Sequence, residues 1–201
     1  MALTARFREA LVYASQLHAE QTRKQVQAPG AITVPYVAHL LAVTAIVLEH
    51  GGDEDEAIAA LLHDAVEDQG GEVTRRRIQG LFGDRVVAII NGCTDADACP
   101  KPAWEERKQH HVASVCTADE SVRLVTAADK LHNARSVLAD YLQFGESSWV
   151  RFRGGREGTL WYYRAMVDAL RQAPAPRLER LIRELDQVVS ELERATAAAS
   201  V

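Results

Sequence analysis

The stretch Ala57-Ile58-Ala59-Ala60-Leu61-Leu62-His63-Asp64-Ala65-Val66-Glu67-Asp68 constrains this chain more than any other. Its first six residues are all apolar. Ionisable side chains follow at once, and buried charge is costly unless it is paired or bound to a cation. Residues four apart share a helix face, which sets His63 against Glu67 and Asp64 against Asp68. One imidazole and three carboxylates then fall within about two turns, at a rise of ~1.5 Å per residue. The stretch alone allows two readings: a helix that surfaces with its acids solvated, or a site.

The rest of the chain reads as helices separated by glycine and proline stops. Phe7, Ala10, Leu11, Ala14, Leu17 and His18 recur at helical spacing over residues 4–23, with Thr4 as cap. Pro35 suits the first position of a second helix that ends at Gly51-Gly52. Asp53 caps a third, which carries the opening stretch as far as Gly70-Gly71. Short helices are expected over 74–82 and 84–91, the latter with a strand as alternative because Val86, Val87, Ile89 and Ile90 are β-branched. An irregular loop is expected over 93–102, where Asp95 and Asp97 read as turn residues rather than a second metal site. Helices follow over 103–116 and 119–144, then a loop over 145–158 with Arg151, Arg153 and Arg156. An aromatic helix around Trp161-Tyr162-Tyr163 stops at Pro174 and Pro176, and a last helix covers 177–197 before a tail expected to fray. The expected fold is all-α, a single domain over 1–201 with irregularly crossing helices rather than a regular coiled bundle.

Bulk composition excludes several classes. At 201 residues, 47% hydrophobic and 25% charged, the chain has enough apolar material for one sizeable core. A net charge of −5 offers no broad basic surface for a nucleic acid. The longest apolar run, near Leu40 to Leu48, is too short to cross a bilayer, and residues 1–6 lack a signal-peptide core. Cys93, Cys99 and Cys116 are odd in number and form no Cys-x-x-Cys pair, which argues against a disulfide framework or thiolate zinc site. A cytoplasmic location is the expectation.

Two further residues are out of place in their surroundings. His39 stands in Val37-Ala38-His39-Leu40-Leu41, and Asp129 in Val125-Thr126-Ala127-Ala128-Asp129. Singly, His39 reads as a satisfied core histidine, and Asp129 as the partner of Lys130 or Arg135. Together, His39, His63, Asp64 and Asp129 offer two imidazole nitrogens and two carboxylates. That sulfur-free donor set suits Mn²⁺, Fe²⁺, Zn²⁺ or Mg²⁺. His18, His50, His110, His111 and His132 are read as structural.

The H…HD…D pattern resembles the signature of HD-domain metal-dependent phosphohydrolases. Five segments narrow the resemblance. They are Gln21-Thr22-Arg23-Lys24, Pro35-Tyr36-Val37-Ala38-His39, Ala60 through Asp68, Phe82-Gly83-Asp84-Arg85-Val86, and Ala128-Asp129-Lys130-Leu131-His132-Asn133-Ala134-Arg135. In this order they resemble the hydrolase domain of RelA/SpoT-type enzymes and the stand-alone small alarmone hydrolases, over about residues 5–170. The resemblance implies a helical HD domain and hydrolysis of guanosine 3′,5′-bis(diphosphate), (p)ppGpp, to GDP or GTP and pyrophosphate, with Mn²⁺ as cofactor. It implies His39, His63, Asp64 and Asp129 as metal ligands and Glu67 and Asp68 as the catalytic acids. It implies Arg23, Lys24 and Asn133 as substrate contacts. The segment 93–104 departs from the Val-Thr-Lys pattern of the bifunctional enzymes.

The chemistry of the residues agrees with that implication. Adjacent carboxylates raise each other's proton affinity, which suits a general base near neutral pH. Arg23 and Lys24, with Arg153 or Arg156, offer charge to a polyanion. Two alternatives stand beside this reading: an HD phosphohydrolase for another nucleotide phosphate or pyrophosphate, and a non-catalytic nucleotide-binding HD module. Retention of both Glu67 and Asp68 argues against the module.

Overall fold

The computed structural model describes residues 2–24, 26, 30–94 and 102–198. Pro29, Cys99, the Asp95 and Asp97 turn and the end of the tail lie outside the described residues. Every regular element described is helical, and the one β feature is an isolated antiparallel bridge between Thr22 and Pro35. The α-helices are α1 (Ala5–Leu17), α2 (Tyr36–Glu49), α3 (Glu54–Leu62), α4 (Ala65–Asp68), α5 (Gly71–Phe82), α6 (Asp84–Cys93), α7 (Trp104–Thr117), α8 (Glu120–Phe144), α9 (Gly155–Gln172) and α10 (Glu179–Ala198).

Helix α3 is the hub that its composition demands. Residues Ala57 through Leu62 are fully buried, and the helix packs on α1, α2, α6 and α8. Each fully buried leucine there contributes about 1.5–3 kcal/mol of transfer free energy. The start of α3 is fixed by a capping box. The Glu56 amide donates to Asp53 Oδ1 at 3.0 Å, and the Asp53 amide donates to Glu56 Oε2 at 2.7 Å. Gly51 and Gly52 make the turn from α2. Gly51 has φ +77°, and a Cβ on Gly52 would lie 2.4 Å from Val47 Cγ1. Helix α8 is the second axis and packs on α2, α6, α9 and α10. Most of the buried apolar residues from Ala10 to Leu192 form one continuous cluster.

Several boundaries differ from expectation. Helix α1 stops at Leu17, and the chain after it pairs with the segment entering α2: the Arg23 amide donates to Val34 O and the Tyr36 amide to Gln21 O, both at 2.9 Å. The 84–91 segment is helical, because Val86, Val87, Ile89 and Ile90 all turn inward at helical spacing. Residues 145–151 form a 3-10 helix rather than a loop, and α9 begins at Gly155. The most consequential difference is at His63-Asp64, where the expected third helix is interrupted. Asp64 has φ −95° and ψ −4°, a flat turn conformation. The Asp68 amide still bonds Asp64 O at 2.9 Å, so α4 resumes the helical path after the break.

Candidate metal centre

The break between α3 and α4 points His63 and Asp64 at α2 and α8. His39 on α2, His63 and Asp129 on α8 each offer a donor atom within 4.8 Å of the others. His39 Nε2 lies 3.2 Å from Asp129 Oδ1, and His63 Nε2 lies 3.6 Å from it. Asp64 Oδ2 completes the group, at 3.0 Å from His63 Nε2 and 3.7 Å from His39 Nε2. The four residues singled out from sequence thus converge. Glu67, Asp68, Arg23, Lys24 and Asn133 line one cavity of about 690 Å³ with His63, Asp64 and Asp129, and His39 lines the adjoining one.

The donor chemistry fits a divalent cation. His63 Nδ1–H donates to Ala60 O at 2.9 Å, which leaves a lone pair on Nε2. That Nε2 is buried and makes no hydrogen bond. It faces carboxylate oxygens, which are acceptors too, so a positive charge has to sit among them. Without a metal, a proton takes this part. Burial lowers the proton affinity of His63, but Asp64 and Asp129 outweigh it and hold the imidazole well above its ordinary range. Burial likewise disfavours the Asp64 carboxylate, yet His63 and His39 hold its pKa well below the usual value. For Asp129, Lys130 and the two imidazoles overcome burial in the same direction.

The surrounding groups orient these ligands. Asp129 divides its two oxygens: Lys130 Nζ donates to Oδ2 at 2.6 Å, and Oδ1 faces the imidazoles. The lysine partner expected for a lone Asp129 is therefore present, and the residue still joins the donor cluster. Asn133 Nδ2 also donates to Asp129 Oδ1 at 2.5 Å, while Asn133 Oδ1 accepts from Arg23 at 2.6 Å. Tyr36 donates its hydroxyl proton to Asp64 Oδ2 at 2.5 Å; burial, then Asp64, drives its pKa upward.

His132, read from sequence as structural, belongs to this centre. Its Nδ1 lies 2.8 Å from His39 Nδ1, so one of the two carries the shared proton. Burial, then His39 and Arg23, push the His132 imidazole down to about 4. A neutral His132 can accept from His39 Nδ1–H, leaving the His39 Nε2 lone pair for a cation. The available signal was register: His132 follows Asp129 by three residues on α8 and shares its face.

The cavity lining is also cationic. Lys24, Arg107, Lys108, Arg151 and Arg153 contribute to it. Burial, then Lys108 and Arg153, lower the Lys24 pKa. Of the two loop arginines considered with the substrate contacts, Arg153 reaches the cavity. Arg156 instead donates to Thr196 O at 2.7 Å and lies 3.6 Å from Glu146. Helix α7 brings Lys108 into place by close packing on α9: a Cβ on Gly154 would lie 2.5 Å from the Trp104 ring. Cys93 also lines the cavity, but burial pushes its thiol up to about 11, so it stays protonated. Arg85 lies 2.7 Å from Asp53 and 3.2 Å from Asp55, serving the α3 N-terminus rather than the cavity.

A family profile described as HD domain matches residues 10–146. The chain belongs to the HD-domain family. This HD domain is 31% identical over 170 residues to guanosine-3′,5′-bis(diphosphate) 3′-pyrophosphohydrolase MESH1 of Drosophila melanogaster, covering 84% of this chain and 86% of that protein. It is 32% identical over 131 residues to a probable guanosine-3′,5′-bis(diphosphate) 3′-pyrophosphohydrolase of Synechocystis, covering 64% of this chain and 16% of that longer protein. A solved structure of a metazoan ortholog of SpoT, described as hydrolysing ppGpp, superimposes with a TM-score of 0.76 at 28% identity. That match covers 98% of this chain and 99% of the other. Among the described residues no helix is long and apolar enough to cross a membrane.

Proposed function

We propose that this HD domain is a Mn²⁺-dependent (p)ppGpp hydrolase that releases pyrophosphate and GDP or GTP. One observation carries the reading: four metal-type donors converge beside a Glu-Asp pair at a cavity that basic side chains also line. MESH1 and the SpoT ortholog, the relatives named above, point to the same substrate. We read residues 1–201 as one such domain acting in the cytoplasm.

His39, His63, Asp64 and Asp129 would hold the metal. When bound, a divalent cation lowers the pKa of water and offsets charge on a phosphoryl oxygen. Glu67 accepts the proton of the attacking water, and Asp68 holds that water toward the 3′ phosphorus. Lys24, Lys108 and Arg153 neutralise the phosphates and align them for attack. A second cavity, of about 470 Å³, opens on the other side of Arg23 and shares Lys24, Ser136 and Arg151 with the first. Its apolar wall includes Val26, Ile32, Val34 and Phe144 and suits a nucleobase. Arg23, fixed by Asn133 and 5.8 Å above the Tyr36 ring, stands where base and phosphates would meet.

The direct test is a nucleotide screen with Mn²⁺-loaded protein. Turnover of ppGpp and pppGpp, abolished by EDTA and restored by Mn²⁺, is the expected result. Turnover of other nucleotides with none of ppGpp or pppGpp would overturn the substrate, and binding without turnover of any would overturn the enzyme.

A further inference from the structure

The turn after α1 holds a side-chain relay that the reaction above leaves without a role. Gln21 Nε2 donates to Asp68 Oδ2 at 2.8 Å. Gln21 Oε1 accepts from Gln69 Nε2 at 2.7 Å and lies 2.6 Å from His18 Nδ1. A carboxylate only accepts, so the amide must turn its nitrogen to Asp68. Its oxygen then faces His18, and His18 Nδ1 must carry a proton. The backbone of Gln21 is fixed as well, since its amide donates to His18 O at 3.1 Å and its carbonyl accepts from the Tyr36 amide at 2.9 Å. Asp68 itself is exposed and sits at the end of the four-residue helix α4, which alone cannot fix a rotamer.

His18 also touches the metal side of the site. It is 2% exposed, its Nε2 makes no hydrogen bond, and its ring stacks on Tyr36 at 5.2 Å between centroids. Tyr36 in turn holds Asp64. One buried imidazole therefore backs both the amide that grips Asp68 and the phenol that grips Asp64.

We infer that Gln21 is a positioning residue for Asp68, locked in one amide orientation by His18 and Gln69. With Oδ2 held by Gln21, the other Asp68 oxygen is left to meet the attacking water. Misplacing a reacting group by about 1 Å costs on the order of 10²-fold in rate.

This inference rests on the proposed role of Asp68, and its test separates the two. In the full chain loaded with Mn²⁺, Gln21→Ala should lower kcat for ppGpp by roughly 10–100-fold. KM and Mn²⁺ affinity should stay within about twofold, because Gln21 touches neither the donor set nor the phosphate wall. In the Asp68→Ala background Gln21→Ala should cost nothing further, since it acts through Asp68. Wild-type kcat in Gln21→Ala, or a further loss on top of Asp68→Ala, would overturn the relay. A wild-type protein that leaves ppGpp unchanged would overturn the substrate reading instead. The relay is then decided by thermal unfolding: the Gln21→Ala and His18→Ala shifts in Tm should fall short of additivity by about 2–4 °C, and additive shifts would overturn it.

Discussion

At the residue scale, each candidate ligand residue is held by a neighbouring hydrogen-bond partner. Ala60 O takes His63 Nδ1–H, His132 faces His39 Nδ1, Lys130 takes Asp129 Oδ2 and Tyr36 donates to Asp64. Two substitutions separate ligand from base. Asp64→Ala should abolish Mn²⁺ binding by calorimetry. Glu67→Gln should keep the metal and lower kcat by about 10²–10⁴-fold, the usual yield of a general base. Wild-type turnover in Glu67→Gln would remove Glu67 from that role. A pH dependence follows as well. The His63 proton affinity is raised in the metal-free protein, so near neutrality a metal must displace that proton. Mn²⁺ affinity should tighten with rising pH, by up to about tenfold per unit, until His63 is deprotonated without metal. Calorimetric heats should differ between buffers of different ionisation enthalpy, and equal heats would show that no proton leaves. The four donors were legible in the sequence because each is an ionisable residue in an apolar run. Tyr36 and His132 were not: a tyrosine entering a helix, or a histidine in a mixed segment, looks ordinary until two helices cross and bring it to a ligand.

At the element scale, α8 organises the centre on one face. Asp129, His132 and Asn133 are three and four residues apart and meet α2 and the segment after α1. His132→Ala should weaken Mn²⁺ affinity by roughly 10–100-fold, the usual effect of losing a partner behind a histidine ligand; an unchanged affinity would show that His39 holds its orientation alone. The same helix also ties the fold together away from the site. Buried Arg123 donates to Leu170 O and Ala173 O, the carbonyls at the end of α9. Arg123→Met should lower stability by about 2–4 kcal/mol, from two charged hydrogen bonds lost, with kcat for ppGpp unchanged. A drop in Tm accompanied by a drop in kcat would show coupling between α9 and the centre. Helix existence was legible from apolar period, and the Asp53 cap was legible as a helix-starting aspartate, while its reciprocal bond with Glu56 emerged only in the structure. The interruption at His63-Asp64 was not, because the turned Asp64 meets a group from outside the segment, the His39 imidazole on α2.

At the scale of the whole molecule, the acidic chain concentrates cations where a polyanion would lie. Lys24 comes from the turn after α1, Lys108 from α7 and Arg153 from the loop before α9, and these three line one cavity with Glu67 and Asp68. The second cavity continues from it past Arg23. No sequence window holds this arrangement, since it depends on Trp104 seating α7 against Gly154. Lys24 and, as one of two loop candidates, Arg153 stood out beforehand, whereas Lys108 did not. The proposed reaction is attack by water on the 3′ phosphorus of (p)ppGpp. It is tested most directly by running the Mn²⁺-dependent reaction of ppGpp in ¹⁸O-labelled water and identifying the products. The account predicts GDP and pyrophosphate, with the label in pyrophosphate. Label in the 3′-hydroxyl of GDP, or release of orthophosphate in place of pyrophosphate, would contradict it.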